Sequence, residues 1–128
     1  MLVKKIKYTD FDGNEREETH HFNLTRTEAV ELQWSVAGGL KDLLERIVEE
    51  QDIKLILEHT KEILSKAYGV KSADGRRFDK DPQHWINFTQ TNAFDELFIE
   101  LMTNPGYAGE FIQQIIPNME DHLPKSDS

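Results

Sequence analysis

The sequence predicts a mainly α fold (α+β), with an N-terminal β-hairpin followed by a bundle of five to six helices. Near the N-terminus, apolar residues alternate on both sides of an Asp-Gly pair, which is typical of a hairpin. Most of the remaining chain carries apolar residues at helical spacing. The chain has 128 residues and no cysteine, so we expect one domain without disulfides. Its expected parts are the hairpin at 2–24, a helical body at 25–117 and a frayed tail at 118–128.

The hairpin is predicted from the parity of its apolar residues. A two-residue loop would pair even positions with odd ones, whereas a three-residue loop pairs even with even. The longer loop sets Leu2 beside Leu24 and places both on the core face. We therefore expect a three-residue loop with Gly13 or Asn14 in the left-handed conformation.

Capping signals mark the starts of four predicted helices. Thr25 and Glu28 have the spacing of a capping box, in which each side chain accepts a hydrogen bond from the other residue's backbone. Asp81-Pro82 and Asn104-Pro105 each place a capping side chain before a proline in the first turn. Thr91 is predicted to cap the helix between them.

The middle of the chain is less regular. In residues 40–67 two apolar series are offset by one position around Gln51-Asp52, which favours two helices, with a single bent helix as the alternative. Gly69 is predicted to end this helical region as a left-handed C-cap. Residues 69–80 are predicted to form a long, ordered polar loop that Phe78 anchors to the core.

Charge and hydropathy exclude several classes of function. The formal net charge is −9, which opposes binding to the phosphate backbone of nucleic acids. No apolar run approaches the roughly 20 residues that cross a bilayer. The basic N-terminus lacks the hydrophobic stretch of a signal peptide. We therefore expect no nucleic-acid partner and no membrane association.

The residues that carry chemistry form no recognisable site. His20 and His21 are neighbours in a strand, so they point to opposite faces and cannot share a metal. Residues 10–14 resemble the start of a calcium loop, but Glu15 stands where glycine is needed and His21 where a bidentate glutamate is needed. No nucleophile elbow or nucleotide-binding loop is present. We expect no enzyme activity, no cofactor and no metal.

Several segments, in this order and spacing, resemble the tail assembly chaperones of long-tailed bacteriophages and prophages. The resemblance covers about residues 5–117. It is carried by 68–78 (YGVKSADGRRF), 88–97 (FTQTNAFDEL), 111–117 (FIQQIIP) and 7–18 (KYTDFDGNEREE), the last followed by 22–25 (FNLT).

The resemblance implies a non-catalytic protein that binds the tape-measure protein, keeps it soluble and helps recruit tail-tube subunits. It implies action in the host bacterial cytoplasm and absence from the mature virion. In this family a longer form is often made by ribosomal frameshifting.

Two groups of side chains are candidate partner-binding residues. Six aromatic residues could line a groove for a helical partner or could pack in the core. Two arginines in the loop could contact the acidic C-terminal third of a second copy and so support self-association, or could be simply solvated. The candidates are Arg76, Arg77, Trp85, Phe88, Phe94, Phe98, Tyr107 and Phe111.

Two other functions remain open. A head–tail connector or tail-completion structural protein would share the phage setting but stay in the particle. A small metal-dependent nuclease or hydrolase would use the carboxylates of Asp10, Asp12, Glu17 and Glu18, although a turn already accounts for the two aspartates.

Overall fold

A computed structural model describes residues 1–35, 38–39, 42–43, 45–46 and 53–117. These ranges contain one four-stranded antiparallel sheet with the strand order β1-β2-β3-β4. They also contain five helices. The elements are β1 Leu2–Thr9, β2 Glu15–Phe22, α1 Arg26–Ser35, α2 Ile53–Ala67, β3 Tyr68–Lys71, β4 Phe78–Asp79, α3 Pro82–Thr89, α4 Asn92–Thr103 and α5 Pro105–Ile115.

The prediction of a mainly α fold, with an all-α body after the hairpin, is wrong. The sheet extends beyond the hairpin, because two further strands, Tyr68–Lys71 and Phe78–Asp79, take up much of the segment 69–80 that was predicted as a polar loop. The chain leaves α2 at Ala67 and enters β3 at Tyr68 without a connecting loop. The fold is α+β, with a four-stranded sheet and helices that pack on it.

The hairpin has the predicted three-residue loop. The backbone N–H of Asp10 donates to the carbonyl of Asn14 at 2.9 Å, which leaves Phe11, Asp12 and Gly13 in the loop. Gly13 has a φ of +85°, a left-handed conformation that glycine adopts without steric cost. Both the loop length and the left-handed glycine are confirmed.

The register of the hairpin differs from the prediction by two residues. Leu2 lies opposite Phe22 and not opposite Leu24, because the loop occupies positions 11–13 and not 12–14. The predicted pairing of even positions with even positions is kept. Phe22 and Leu24 are both buried, with 0% and 2% of their surface exposed.

Among the described residues, helices cover one face of the hairpin. The even positions of β1 and β2 face the helices, and Ile6 and Phe22 are buried there. The odd positions from Val3 to Thr19 are exposed. The helix α4 lies along β1, where the side-chain amide of Asn92 donates to the carbonyl of Thr9 at 3.0 Å. The core therefore lies between the even-numbered face of the sheet and the helices.

Gly69 is not a helix C-cap, which corrects the prediction. It lies in β3 opposite His21 of β2, and its φ is not positive. A Cβ atom at this position would lie 2.6 Å from Cε2 of Phe78 and 2.7 Å from the carbonyl oxygen of Asp79. Glycine is needed because β4 packs so closely against it. Phe78 is half-buried and its ring lies over Gly69, but it is not among the described hydrophobic side chains that pack against the core, so its predicted anchoring to the core stays a prediction.

The four predicted N-terminal caps at Thr25, Asp81, Thr91 and Asn104 are present. The Thr25 hydroxyl accepts from the backbone N–H of Glu28 at 3.1 Å, and the Glu28 carboxylate accepts from the Thr25 N–H at 2.9 Å. The side chains of Asp81, Thr91 and Asn104 accept from backbone N–H groups two or three residues ahead, at 2.9, 3.3 and 3.2 Å. These bonds satisfy donors that the first turn of a helix would otherwise leave unpaired.

The last described helix ends at Ile115, two residues before Pro117, as the sequence predicts. Other predictions fall outside the described residues. These are the break at Gln51-Asp52, the choice between one helix and two in residues 40–67, and the frayed tail at 118–128.

Lys80 ties together three parts of the fold. Its ammonium donates to both carboxylate oxygens of Glu28 at 3.0 and 2.9 Å, and to the carbonyl of Lys66 at 2.7 Å. It therefore links the N-terminus of α1, the end of α2 and the segment between β4 and α3. Burial raises the pKa of Glu28, but the hydrogen bonds from Thr25 and Lys80 together lower it by a larger amount. The pKa of Glu28 is therefore below its ordinary value.

Candidate protein-interaction surfaces

The six predicted aromatic residues lie in and around the core between the sheet and the helices. Three of them are buried and three are only half-buried at its margin. The buried three are Phe88, Phe98 and Phe111; the half-buried three are Trp85, Phe94 and Tyr107. In this arrangement only the last three bring part of their rings to the surface.

Ring contacts connect these residues to two aromatics that were not among the predicted site residues. Phe88 stacks on Tyr68, with 4.5 Å between ring centroids and 5° between planes. Phe22 meets Phe111 edge-on at 5.4 Å. Trp85 meets Phe94 edge-on at 5.5 Å. Tyr68 and Phe22 lie directly opposite each other in β3 and β2, so the pairing of these strands brings them to the centre of the cluster.

A buried polar group borders this cluster. Nδ1 of His20 lies 2.9 Å from the Tyr68 hydroxyl, and Nε2 lies 3.4 Å from a carboxylate oxygen of Glu18. Nε2 has no hydrogen bond within the described part of the chain. Burial lowers the pKa of His20 and raises the pKa of Tyr68 to about 12. Both side chains are therefore neutral at pH 7.

Arg76 and Arg77 lie at the tip of the turn between β3 and β4, where both are exposed. The turn is held by the Asp74 carboxylate, which accepts from the Ser72 hydroxyl at 2.7 Å and from the Arg76 N–H at 3.1 Å. These two hydrogen bonds lower the pKa of Asp74. Gly75 completes the turn with a φ of +74°. The two arginines thus form a basic spot on an ordered turn.

Large apolar side chains are also exposed away from the predicted site. Phe11, at the hairpin tip, is 80% exposed, and Trp34 in α1 is 70% exposed. The tip is well ordered because the Asp10 carboxylate accepts hydrogen bonds from the backbone at positions 12 and 14 and from the Arg16 guanidinium. A single aromatic residue between two aspartates is the sequence signal that could have identified Phe11.

A cleft of about 310 Å³ follows the outer edge of β1 beside α4. Consecutive strand residues point to opposite faces, so a cleft that contacts four consecutive residues must run along the edge of the strand. It is lined by Lys4, Lys5, Ile6, Lys7, Glu96, Ile99 and Glu100. Ile99 is 56% exposed there.

The described residues contain no group of three or more side chains that could hold a metal ion. Among the described helices, none has the length and apolar character needed to cross a bilayer.

Comparisons with known proteins identify the family of this chain. No curated protein and no solved structure matches the chain. A family model described as phage tail assembly chaperone matches residues 1–123. The match spans the hairpin, all four strands and all five described helices. The chain therefore belongs to the phage tail assembly chaperone family.

Proposed function

We propose that this protein binds the tape-measure protein of a phage tail, keeps it soluble and helps recruit tail-tube subunits. The observation that carries the proposal is the family match across residues 1–123. The protein acts by protein–protein contact without catalysis. It works in the host bacterial cytoplasm and is left out of the mature virion.

The partner contact is proposed to involve the exposed margin of the aromatic cluster. Trp85, Phe94 and Tyr107 offer partly exposed rings, and the buried aromatics beneath hold them in place. An amphipathic helix can bind such a surface through its apolar face. The net charge of −9 would keep the complex soluble while apolar helices are bound.

Arg76 and Arg77 are proposed to add a charged contact beside this apolar one. Their turn is ordered by its own hydrogen bonds, so the backbone loses little conformational freedom on binding, and the entropic cost is mainly that of fixing the two arginine side chains. The same pair is also the predicted contact for self-association with an acidic segment of a second copy.

Co-expression with the tape-measure protein tests the main function. We expect the soluble fraction of the tape-measure protein to rise when this protein is present. Arg76→Glu/Arg77→Glu should reduce that gain, because it reverses the charge at the ordered turn. Lys61→Glu/Lys66→Glu is the matched control, since it makes the same change of charge on the exposed surface of α2. Equal solubility with and without the protein would contradict the proposal.

A second measurement separates the chaperone from the connector alternative. Mass analysis of purified virions should find no copies of this protein. A head–tail connector or tail-completion protein would be present in every particle, so its detection there would overturn the assignment of an assembly role.

A further inference from the structure

The hairpin has two strand edges that are open along most of their length. β1 is the first strand of the sheet, and β2 pairs with β3 only through His21 and Phe22. The outer edge of β1 and the edge of β2 from Glu15 to Thr19 are therefore without a neighbouring strand among the described residues.

The hydrogen-bond pattern identifies the backbone groups on these edges. The Asp10 N–H donates to the carbonyl of Asn14, so these two even-numbered residues form a hydrogen-bonded pair. Hydrogen-bonded and non-hydrogen-bonded pairs alternate along antiparallel strands. The other even-numbered pairs of the hairpin are therefore hydrogen-bonded to each other as well. The N–H and carbonyl groups of odd positions therefore point outward. The bond from Asn92 to the outward carbonyl of Thr9 agrees with this direction.

Three residues on each edge present these groups. On β1 they are Val3, Lys5 and Lys7; on β2 they are Glu15, Glu17 and Thr19. No hydrogen bond from another described residue reaches their outward backbone groups. Free strand edges of this kind are templates for pairing with a further strand.

The two edges carry opposite charge. On the exposed face, Glu17 lies 3.7 Å from both Lys5 and Lys7 within the hairpin. One carboxylate thus serves two lysines, and the lysine side chains remain 73% and 83% exposed. The cleft at the β1 edge is lined by Lys4, Lys5 and Lys7 against Glu96 and Glu100, so this edge has a small excess of positive charge. Glu15 and Glu17 make the β2 edge acidic.

We propose that the β1 edge of one copy pairs with the β2 edge of a second copy, so that the sheet continues from one molecule to the next. In the antiparallel register Lys7 lies opposite Glu15, Lys5 opposite Glu17 and Val3 opposite Thr19. Opposite charges directly across from each other stabilise a strand pair. Pairing of β1 with β1 would instead bring lysines together, which disfavours a symmetric dimer through this edge.

The exposed Ile99 of α4 lies in the cleft beside the β1 edge, so a strand added at this edge would lie next to it. Because the two edges differ, the contact is head-to-tail and can repeat along a line.

The proposed contact between two copies does not require any other tail protein, so the purified chain alone is enough to test whether it forms. Sedimentation at low and high salt should give a mass above the 14.9 kDa monomer that rises with concentration and falls with added salt. Lys5→Glu/Lys7→Glu and Glu15→Lys/Glu17→Lys should each be monomeric. An equimolar mixture of the two variants should associate again, because each then meets an edge of opposite charge.

Two controls make the result specific. Lys5→Glu/Lys7→Glu/Glu15→Lys/Glu17→Lys reverses both edges, keeps the net charge and should associate like the wild type. Lys61→Glu/Lys66→Glu changes the charge as Lys5→Glu/Lys7→Glu does but leaves both edges intact, so it should also associate. Thermal unfolding of every variant shows that each is folded.

Three outcomes would overturn the inference. One is a wild type that stays monomeric in all conditions. Another is association that both edge reversals leave unchanged while Arg76→Glu/Arg77→Glu abolishes it, which would place the contact at the β3–β4 turn. The third is failure of the mixed variants to associate when both are folded.

Discussion

Gly69 lies where β2, β3 and β4 meet, and its lack of a side chain is what lets Phe78 cross it. In Gly69→Ala the new Cβ would meet the Phe78 ring and the backbone carbonyl of Asp79 at under 3.0 Å. We expect a loss of about 2 kcal/mol in the free energy of unfolding, the usual cost of overpacking. Urea denaturation measures it.

Gly106→Ala is the matched control for this substitution. Its added Cβ would meet only the Asn104 side chain, at an ordinary contact distance of 3.6 Å. Alanine is the better helix former, so stability should be unchanged or rise by up to about 1 kcal/mol. Equal losses in the two variants would show that crowding at Gly69 is not the cause.

His20 should make the protein less stable below neutral pH. Burial holds the pKa of its folded form below the ordinary value of 6.5, so the unfolded chain binds the proton more readily. The contribution of His20 to the free energy of unfolding is therefore full above pH 6.5, where the side chain is neutral in both states. This contribution is lost as the pH falls towards the lower pKa of the folded form. Urea denaturation between pH 7.5 and pH 5 should follow this slope.

Two variants test this pH dependence. His20→Asn should be less stable at pH 7.5, because it loses the contact with Tyr68, but its stability should change less with pH. Phe11→Ala, at an exposed and non-titrating position of the hairpin tip, should keep the slope of the wild type. The same slope in His20→Asn and wild type would exclude His20 as its source.

At the scale of the elements, Lys80 is the contact that fixes α1 against the end of α2. Lys80→Met removes its three hydrogen bonds and leaves the half-buried carboxylate of Glu28 without its lysine partner. We expect a loss of about 1–2 kcal/mol in the free energy of unfolding, as for other hydrogen bonds to charged groups. Lys71→Met, at an exposed lysine of β3, should change it by less than about 0.5 kcal/mol.

A double-mutant cycle with Glu28→Gln isolates the Lys80–Glu28 pair. If the two residues act through each other, the double variant should lose less stability than the sum of the two single variants. Strict additivity would mean that Lys80 acts mainly through the carbonyl of Lys66.

The elements that the sequence predicted correctly are those fixed by neighbouring residues. Capping side chains such as Thr91 act over two or three positions, and the hairpin loop with Gly13 depends on its own glycine. β3 and β4 were missed because they are four and two residues long and depend on distant partners. A glycine after a helix usually marks a C-cap, yet Gly69 is required by Phe78, and this contact cannot be read from local spacing.

For the whole molecule, Phe22 joins the sheet to the helices. It is fully buried and contacts the rings of Tyr68, Phe88 and Phe111. Phe22→Ala should lower the free energy of unfolding by about 4 kcal/mol, through lost burial and the cavity that remains. Phe11→Ala removes the same ring from an exposed position and should leave thermal stability almost unchanged. Similar losses in both would contradict this assignment of the core.

The same contrast explains why the candidate site could be predicted only in outline. Helical spacing identifies which positions can be apolar, but Phe88 and Trp85 share one helix and differ in burial because of what lies across from them. The basic pair at Arg76 and Arg77 was recognisable because turns place their residues at the surface. The two charged edges became apparent only when the register of the hairpin and the short pairing of β2 with β3 were known.

The junction of Phe22 with Tyr68 closes the segment of the chain that contains α1 and α2. The Asn23 N–H donates to the Ala67 carbonyl at 2.9 Å beside this junction. The entropy lost on closing a flexible loop grows only with the logarithm of its length, by about 0.6 kcal/mol for each doubling. The sheet therefore gains β3 at a cost in chain entropy that depends only weakly on how many residues separate it from β2.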